Sequence, residues 1–123
     1  MSYSIKGNAI TLTRGDTFRV KVKVTKKDPI TGIREPYEPT GNDKVRFALK
    51  HPTLNSSRTE FTDAKALILK DIPTNTMILT LDPEDTKPLG FGRYVYDIQL
   101  TFPDGTVDTF ITKESFKLTE EVE

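Results

Sequence analysis

From Phe18 to Val24 the chain alternates strictly between apolar residues and cations, Phe18-Arg19-Val20-Lys21-Val22-Lys23-Val24. A period of two places one face of a strand against a core and the other in water. Val45-Arg46-Phe47-Ala48-Leu49-Lys50 repeats the alternation. Tyr94-Val95-Tyr96-Asp97-Ile98-Gln99-Leu100 does so again, with Tyr94, Tyr96, Ile98 and Leu100 on the inner face. Shorter β-branched or aromatic stretches between turn residues predict further strands over Ala9 to Thr13, Met77 to Leu81, Thr106 to Thr112 and Phe116 to Thr119. No long segment has the 3.6-residue period of a helix. Short strands at close spacing therefore predict an all-β sandwich or barrel and not βαβ units.

The turns give a partial pairing scheme. Phe102-Pro103-Asp104-Gly105-Thr106 predicts a hairpin, because Asp-Gly supplies the positive φ that a tight turn between twisted strands requires. Tyr94 to Thr101 should then pair with Thr106 to Thr112. Thr62-Asp63 before Ala64 to Lys70 suits a capped two-turn helix, but so short a helix is unstable alone. Ala66 to Lys70 is therefore expected as a strand, facing Met77 to Leu81 across a hairpin link at Asp71 to Asn75. Asp82-Pro83-Glu84-Asp85-Thr86 predicts a single helical turn with Asp82 as N-cap and Pro83 at the first helical position. Two long loops are expected. Thr25 to Gly41, with three prolines and two glycines, predicts a projecting hairpin or mobile tip, and His51 to Thr62 a polar loop. Residues 1–7 and 120–123 are expected to be flexible ends.

With 123 residues the chain is one domain, large enough to support a core without disulfide or metal. It has no Cys and one His, which removes thiol chemistry, disulfide frameworks and Cys-based zinc sites. His51 sits beside Pro52 with no Ser, Cys or carboxylate motif to activate. The acids Asp82, Glu84 and Asp85 lack the spacing of an EF-hand-like calcium loop, so helix capping explains them better. Gly90-Phe91-Gly92 lacks the Lys-Ser/Thr of a phosphate loop and predicts a bend. These residues imply no catalytic group, cofactor or metal.

The 18 Lys and Arg cancel the 18 Asp and Glu, so the field that would concentrate nucleic acid or an anionic membrane is missing. The longest apolar run is four residues, Ala66 to Leu69, far below the roughly 20 that cross a bilayer, and the N-terminus lacks a signal-peptide core. Arg19, Lys21, Lys23, Lys26 and Lys27 make a cationic strand face without interleaved aromatics to stack bases, which suits a solvated or edge-protecting strand. Tyr3, Tyr37, Phe61 and Phe91 are the aromatics left as candidate contacts. The neutral total conceals an asymmetry, since residues 1–60 hold 12 cations against 6 acids and residues 61–123 the reverse. Interleaved strands would cancel that asymmetry locally. If instead Lys21, Lys23, Lys26 and Lys27 lie away from Glu114, Glu120, Glu121 and Glu123, a cationic patch and an anionic tail would allow head-to-tail association.

Leu81 to Thr86 followed by Gly92-Arg93-Tyr94-Val95-Tyr96-Asp97-Ile98 resembles the helical turn before strand F of immunoglobulin-like domains. There a Tyr ties the corner through its hydroxyl. Tyr94 matches that position, while Tyr96 stands where antibody domains place a Cys. A longer resemblance runs through Ile10-Thr11-Leu12, Arg14-Gly15-Asp16-Thr17-Phe18, Val45 to Lys50, Leu79-Thr80-Leu81, Gly92-x-Tyr94-x-Tyr96-Asp97-Ile98-x-Leu100 and Phe102 to Val107. Over most of residues 8–119 it is similar to the N-terminal β-sandwich of phage and prophage baseplate upper proteins. The resemblance implies an immunoglobulin-like antiparallel β-sandwich of about 7 to 8 strands with one short helical turn. It implies a non-enzymatic tail or baseplate component, made in the bacterial cytoplasm and carried in the virion. Its partners would be other phage structural proteins or copies of itself, with no nucleic acid and no membrane. Tyr94, Asp82 and Gly105 are the expected structural residues. Lys21, Lys23, Tyr37, Phe91, Glu120 and Glu121 are the candidate interface. Rival readings are a carbohydrate-binding module for cell-wall or host-surface glycans, with Tyr37 or Phe91 as platform, and a small hydrolase with two convergent carboxylates of raised pKa.

Overall fold

The computed structural model describes residues 3–52 and 66–120, and the fold is all-β with one short helix. The strands are β1 (Tyr3–Lys6), β2 (Ala9–Thr13), β3 (Phe18–Lys21), β4 (Thr25–Lys27), β5 (Arg34–Pro36), β6 (Lys44–Lys50), β7 (Ile68–Ile72), β8 (Ile78–Leu81), β9 (Gly92–Thr101) and β10 (Val107–Thr119). The helix α1 (Pro83–Thr86) lies between β8 and β9. Six strands form one sheet in the order β1-β2-β10-β9-β6-β7, while β3-β8 and β4-β5 form two-stranded ribbons. Every neighbouring pair is antiparallel except β2 and β10, which run parallel.

The alternation sets the register. Phe116 lies opposite Ile10 on one side and Tyr94 on the other, Phe47 opposite Ile98, and Val45 between Leu100 and Ile72. A single apolar face results, because a slip of one residue would turn every one of these side chains into water. Phe47, Tyr96 and Phe116 meet on it with ring centroids 5.4 to 6.2 Å apart. The β3-β8 ribbon lays Phe18, Leu79 and Leu81 into the same core. Each fully buried side chain of this size contributes about 1.5–3 kcal/mol.

Several expectations change with the pairing. The strand expected over Ala66 to Lys70 is shifted to Ile68–Ile72 and pairs with β6, not across a hairpin with Met77 to Leu81. Pro73 O accepts from the Met77 N–H at 2.7 Å, with Met77 at φ 55°, and this turn carries the chain out of the large sheet into the ribbon. Phe18 to Val24 keeps its alternating burial, but regular pairing stops at Lys21. The stretches expected as Thr106 to Thr112 and Phe116 to Thr119 are one strand, β10, broken by register shifts between Thr109 and Glu114, where Lys113 adopts φ 42°. Residues 3–6, expected to be loose, pair with β2 through a turn in which Gly7 takes φ 63°, a conformation open to glycine at little cost. The helix cap proposed at Thr62-Asp63, the candidate aromatic Phe61 and the acid Glu121 lie outside the described residues.

Gly105, Asp82 and Tyr94, named from the sequence as structural residues, lie at a hairpin, at a helix start and in β9 beside the bend that precedes it. Gly105, at φ 89°, closes the β9-β10 hairpin, with the Phe102 N–H donating to Thr106 O at 2.8 Å. Asp82 stands at the N-cap position, and its N–H donates to the Asp85 carboxylate at 2.7 Å. Lys70 closes on the same Asp85 at 3.0 Å. The Asp85 hydrogen bond, with the Asp85 and Asp82 charges, raises the Lys70 ammonium above its ordinary pKa despite some burial. The buried Thr86 hydroxyl accepts from Gly15 N–H at 2.9 Å, which fastens α1 to the loop before β3. Buried Tyr94 donates its hydroxyl to Gly90 O at 2.7 Å, tying the corner between α1 and β9.

Tyr94→Phe should keep the ring's packing and leave the Gly90 carbonyl without its donor, costing about 1 kcal/mol and at most about 3. Phe47→Ala should cost about 3–5 kcal/mol. Denaturant midpoints compare the two, and an unchanged midpoint for Tyr94→Phe would remove Tyr94 from the corner.

Candidate functional site

An open cleft of about 490 Å³ lies between the stretch Lys21–Val24, the loop after β5 and the turn before β8. Lys21, Lys23 and Tyr37 all line it, so three of the candidate interface residues converge although up to 16 positions separate them in the chain. Lys21 and Lys23 are exposed while Val22 and Val24 are buried, as the alternation predicts. Pro36, Pro39 and Met77 add apolar surface, and Glu38 adds an acid.

The loop forming the cleft's far wall is held by carboxylates. Within Thr25 to Gly41, where a projecting hairpin or a mobile tip was expected, β4 and β5 pair as a hairpin. Its tip is an Asx turn, in which Asp28 accepts from the N–H groups of Ile30 and Thr31 at 2.7 and 3.1 Å. The pair next to the tip, Lys27 and Arg34, is clamped to β10. Arg34 bonds Asp108 through both guanidinium nitrogens at 2.7 and 3.3 Å, and the Lys27 N–H donates to the same carboxylate at 3.0 Å. Burial works to raise the Asp108 pKa, but these bonds and the neighbouring cations outweigh it and hold the group below its ordinary value. Beyond the hairpin, Tyr37 donates its hydroxyl to buried Asp43 at 2.6 Å and Thr40 N–H reaches the same oxygen at 2.9 Å. Asp43 is likewise held low against the opposing effect of burial, and the Tyr37 phenol is raised by that hydrogen bond.

The other candidates are scattered. Phe91 is 50% exposed at the bend before β9, with the Arg14 guanidinium 4.3 Å from its ring centroid. Tyr37 is engaged edge-on by Phe102 at 5.7 Å and by the Lys26 ammonium at 5.1 Å. Both rings offered as glycan platforms therefore already serve contacts within the chain. Glu120 is exposed just past the end of β10. His51 packs edge-on against Tyr94 at 6.3 Å.

Alternation alone does not identify the residues on the outer side of the large sheet. Lys50 is only 2% exposed, and its ammonium lies 3.0 Å from Asp97, which also pairs with Arg46. A buried lysine at the end of an alternating strand reads in the sequence as a solvated one. The only signal was Asp97 facing Ala48 between two cations, visible once β6 and β9 are placed in register. With Arg34–Asp108 and Asn8–Glu114, these contacts join the cationic and anionic halves of the chain. At Asp97 and Asp108 cations of the first half meet carboxylates of the second, the local pairing that interleaved strands would give.

Among the described residues, no group of three or more His, Cys, Asp or Glu could hold a metal ion, and no helix is long and apolar enough to cross a membrane.

Because the Asp108 and Asp43 pKa values are depressed on folding, the stability they contribute is complete above the ordinary aspartate pKa and lost as pH falls through their folded values. Acidification below about pH 4 should therefore loosen the hairpin where it meets β10 and the segment after it, seen as faster hydrogen exchange at the Lys27 and Thr40 amides. Asp108→Ala should reproduce the Lys27 effect at neutral pH and lower stability by about 1–3 kcal/mol. Unaltered exchange at Lys27 in that variant would remove Asp108 as the clamp.

No protein-family model, curated protein or solved structure matches this chain, so the functional reading rests on the geometry of the cleft and on the sequence resemblance.

Proposed function

We propose that this chain is a non-enzymatic immunoglobulin-like β-sandwich that works through protein–protein contacts as a structural or assembly component of a phage or prophage tail or baseplate. The observation that carries the reading is the convergence of Lys21, Lys23 and Tyr37 on one open cleft beside a clamped projecting hairpin. A hairpin fixed to β10 beside its tip presents a pre-ordered surface, and a partner that docks on it loses little conformational entropy in doing so. Support for the immunoglobulin-like architecture comes from the helical turn leading to Tyr94 and from the Tyr94 bond to Gly90.

The carboxylates support a binding role over hydrolysis. Asp28, Asp43, Asp104 and Asp108 all have lowered pKa values and accept hydrogen bonds that shape turns or fasten the hairpin. A general acid needs the opposite shift. The glycan-binding reading wants an aromatic ring with free faces, whereas Tyr37 and Phe91 are engaged by Lys26, Phe102 and Arg14. The virion assignment comes from the sequence resemblance, and the localisation follows it: synthesis in the bacterial cytoplasm, then incorporation into the particle.

Deleting the gene from a lysogen and inducing it should yield particles whose tails lack their distal density in electron micrographs. The protein should also co-sediment with wild-type particles. Infectious particles of normal appearance, free of this protein, would reject the reading.

A further inference from the structure

The two most exposed large apolar side chains among the described residues lie together at the tip of the β4-β5 hairpin, where Ile30 is 93% exposed and Ile33 63%. The loop that carries them is ordered by its own hydrogen bonds. Asp28 accepts from the N–H groups of Ile30 and Thr31, and the Asp28 N–H donates to Ile33 O at 2.9 Å. The Gly32 N–H donates to Asp28 O at 2.9 Å, with Gly32 at φ 74°. Lys27 and Arg34, the pair beside the tip, are held to Asp108. Folding thus leaves two apolar side chains in water on a fixed support, and only a second molecule can take them out of it.

The chain also carries a receptor of matching character. A groove of about 260 Å³ opens between the β3-β8 ribbon and the large sheet, with Val20 and Leu79 on one wall and Ile10, Ile98 and Ile111 on the other. Ile5 of β1 also lines it and is 42% exposed. The groove is smaller than the roughly 300–1,000 Å³ of small-molecule pockets, a size that suits inserted side chains. Its polar neighbours are already paired, since the Tyr96 hydroxyl donates to Asn8 O and the Asn8 amide donates to Glu114 at 3.1 Å. An aliphatic occupant leaves none of those groups without a partner.

Charge decides between occupants. Lys21 and Lys23 border the groove. Asp28 stands two residues from Ile30, and the Ile30 and Thr31 N–H groups hold its carboxyl below the usual carboxylate range. Of the hairpin's own cations, Lys27 and Arg34 act on Asp108, and Lys26 lies over the Tyr37 ring. A tip entering the groove of a second copy would bring Asp28 to Lys21 and Lys23. A bilayer would have to take in the Asp28 charge together with the isoleucines. We propose that the hairpin tip of one copy docks Ile30 and Ile33 in the groove between the β3-β8 ribbon and the large sheet of the next copy. Tip and groove are different surfaces, so the contact is heterologous and joins copies head to tail, into a ring where the rotation closes and a filament where it does not. The proposal deepens the reading of this chain as a protein-binding module, rests on it, and names a second copy as the partner.

The test is sedimentation equilibrium of the intact chain, with circular dichroism checking the fold of each variant. One hairpin tip makes a small interface, so a Kd of roughly 10–1,000 µM is expected. Ile30→Ser/Ile33→Ser removes the apolar tip and keeps the groove, whereas Ile5→Glu keeps the tip and sets a carboxylate in the groove against Asp28. Each variant alone should be monomeric. An equal mixture of the two should form a heterodimer and go no further, because it holds one intact tip for each intact groove. A wild-type chain that stays monomeric to about 1 mM would overturn the proposal. So would association that survives either variant, or a mixture that stays monomeric, since the contact would then be tip to tip or elsewhere. Vesicle binding by a monomeric wild-type chain, lost in Ile30→Ser/Ile33→Ser, would overturn it in favour of a lipid surface. Monomeric protein still found in tail particles rejects this contact alone, and self-associating protein absent from them rejects the tail assignment alone.

Discussion

A broad apolar sheet face covered by too few strands is the constraint on which the rest of this structure depends. Five of the six strands in the large sheet, β2, β10, β9, β6 and β7, turn buried side chains inward, and the opposing ribbon has only β3 and β8. Phe18, Leu79 and Leu81 cover the centre. Partly buried residues outside the regular strands pack against the same core, Leu89 after α1 and Tyr37 and Phe102 near the hairpin, together with Phe110 and Ile111 where β10 bulges. Local features that look independent in the chain therefore share a task, which is to keep water from the flanks of one core.

Loops can close a core only if they are held, and here carboxylates hold them. Asp108 fastens the hairpin, Asp43 the segment after it, Asp85 the start of α1 and the Lys70 side chain, and Asp97 the cations of β6. Exposed ion pairs contribute little by themselves. These are stronger because most combine a charge with a backbone N–H or a second donor, in partly buried surroundings. The arrangement also accounts for a neutral chain with opposite halves, since strands from one half pair with strands from the other and bring cation to carboxylate at short range.

The parts legible in the sequence are those with a local cause. The alternation over Val45 to Lys50 and Tyr94 to Leu100, the Asp104-Gly105 turn, the capped turn at Asp82 and the Tyr94 corner each follow from a few adjacent residues. Strand pairing was less legible. A strand over Ala66 to Lys70 was expected beside Met77 to Leu81 because the link between them is turn-rich, yet a turn states that the chain changes direction and not which sheet it enters. The Lys50 burial and the Asp108 clamp were invisible for a related reason, as each joins residues 47 to 81 positions apart. Of the candidate site, Lys21, Lys23 and Tyr37 were named as contact residues, but only the fold brings them onto one cleft.

The lysines of β3 have two physical meanings. Charged side chains on an edge strand discourage pairing with a second copy, a common defence of open sheets against aggregation. A purely defensive strand needs no apolar groove beside it, since filling that groove with larger side chains would stabilise the core. The chain instead leaves Val20 and Val22 beside a groove that Lys21 and Lys23 border. Like cations set opposite one another across two such strands repel, so the stretch from Arg19 to Lys23 works against strand pairing between copies.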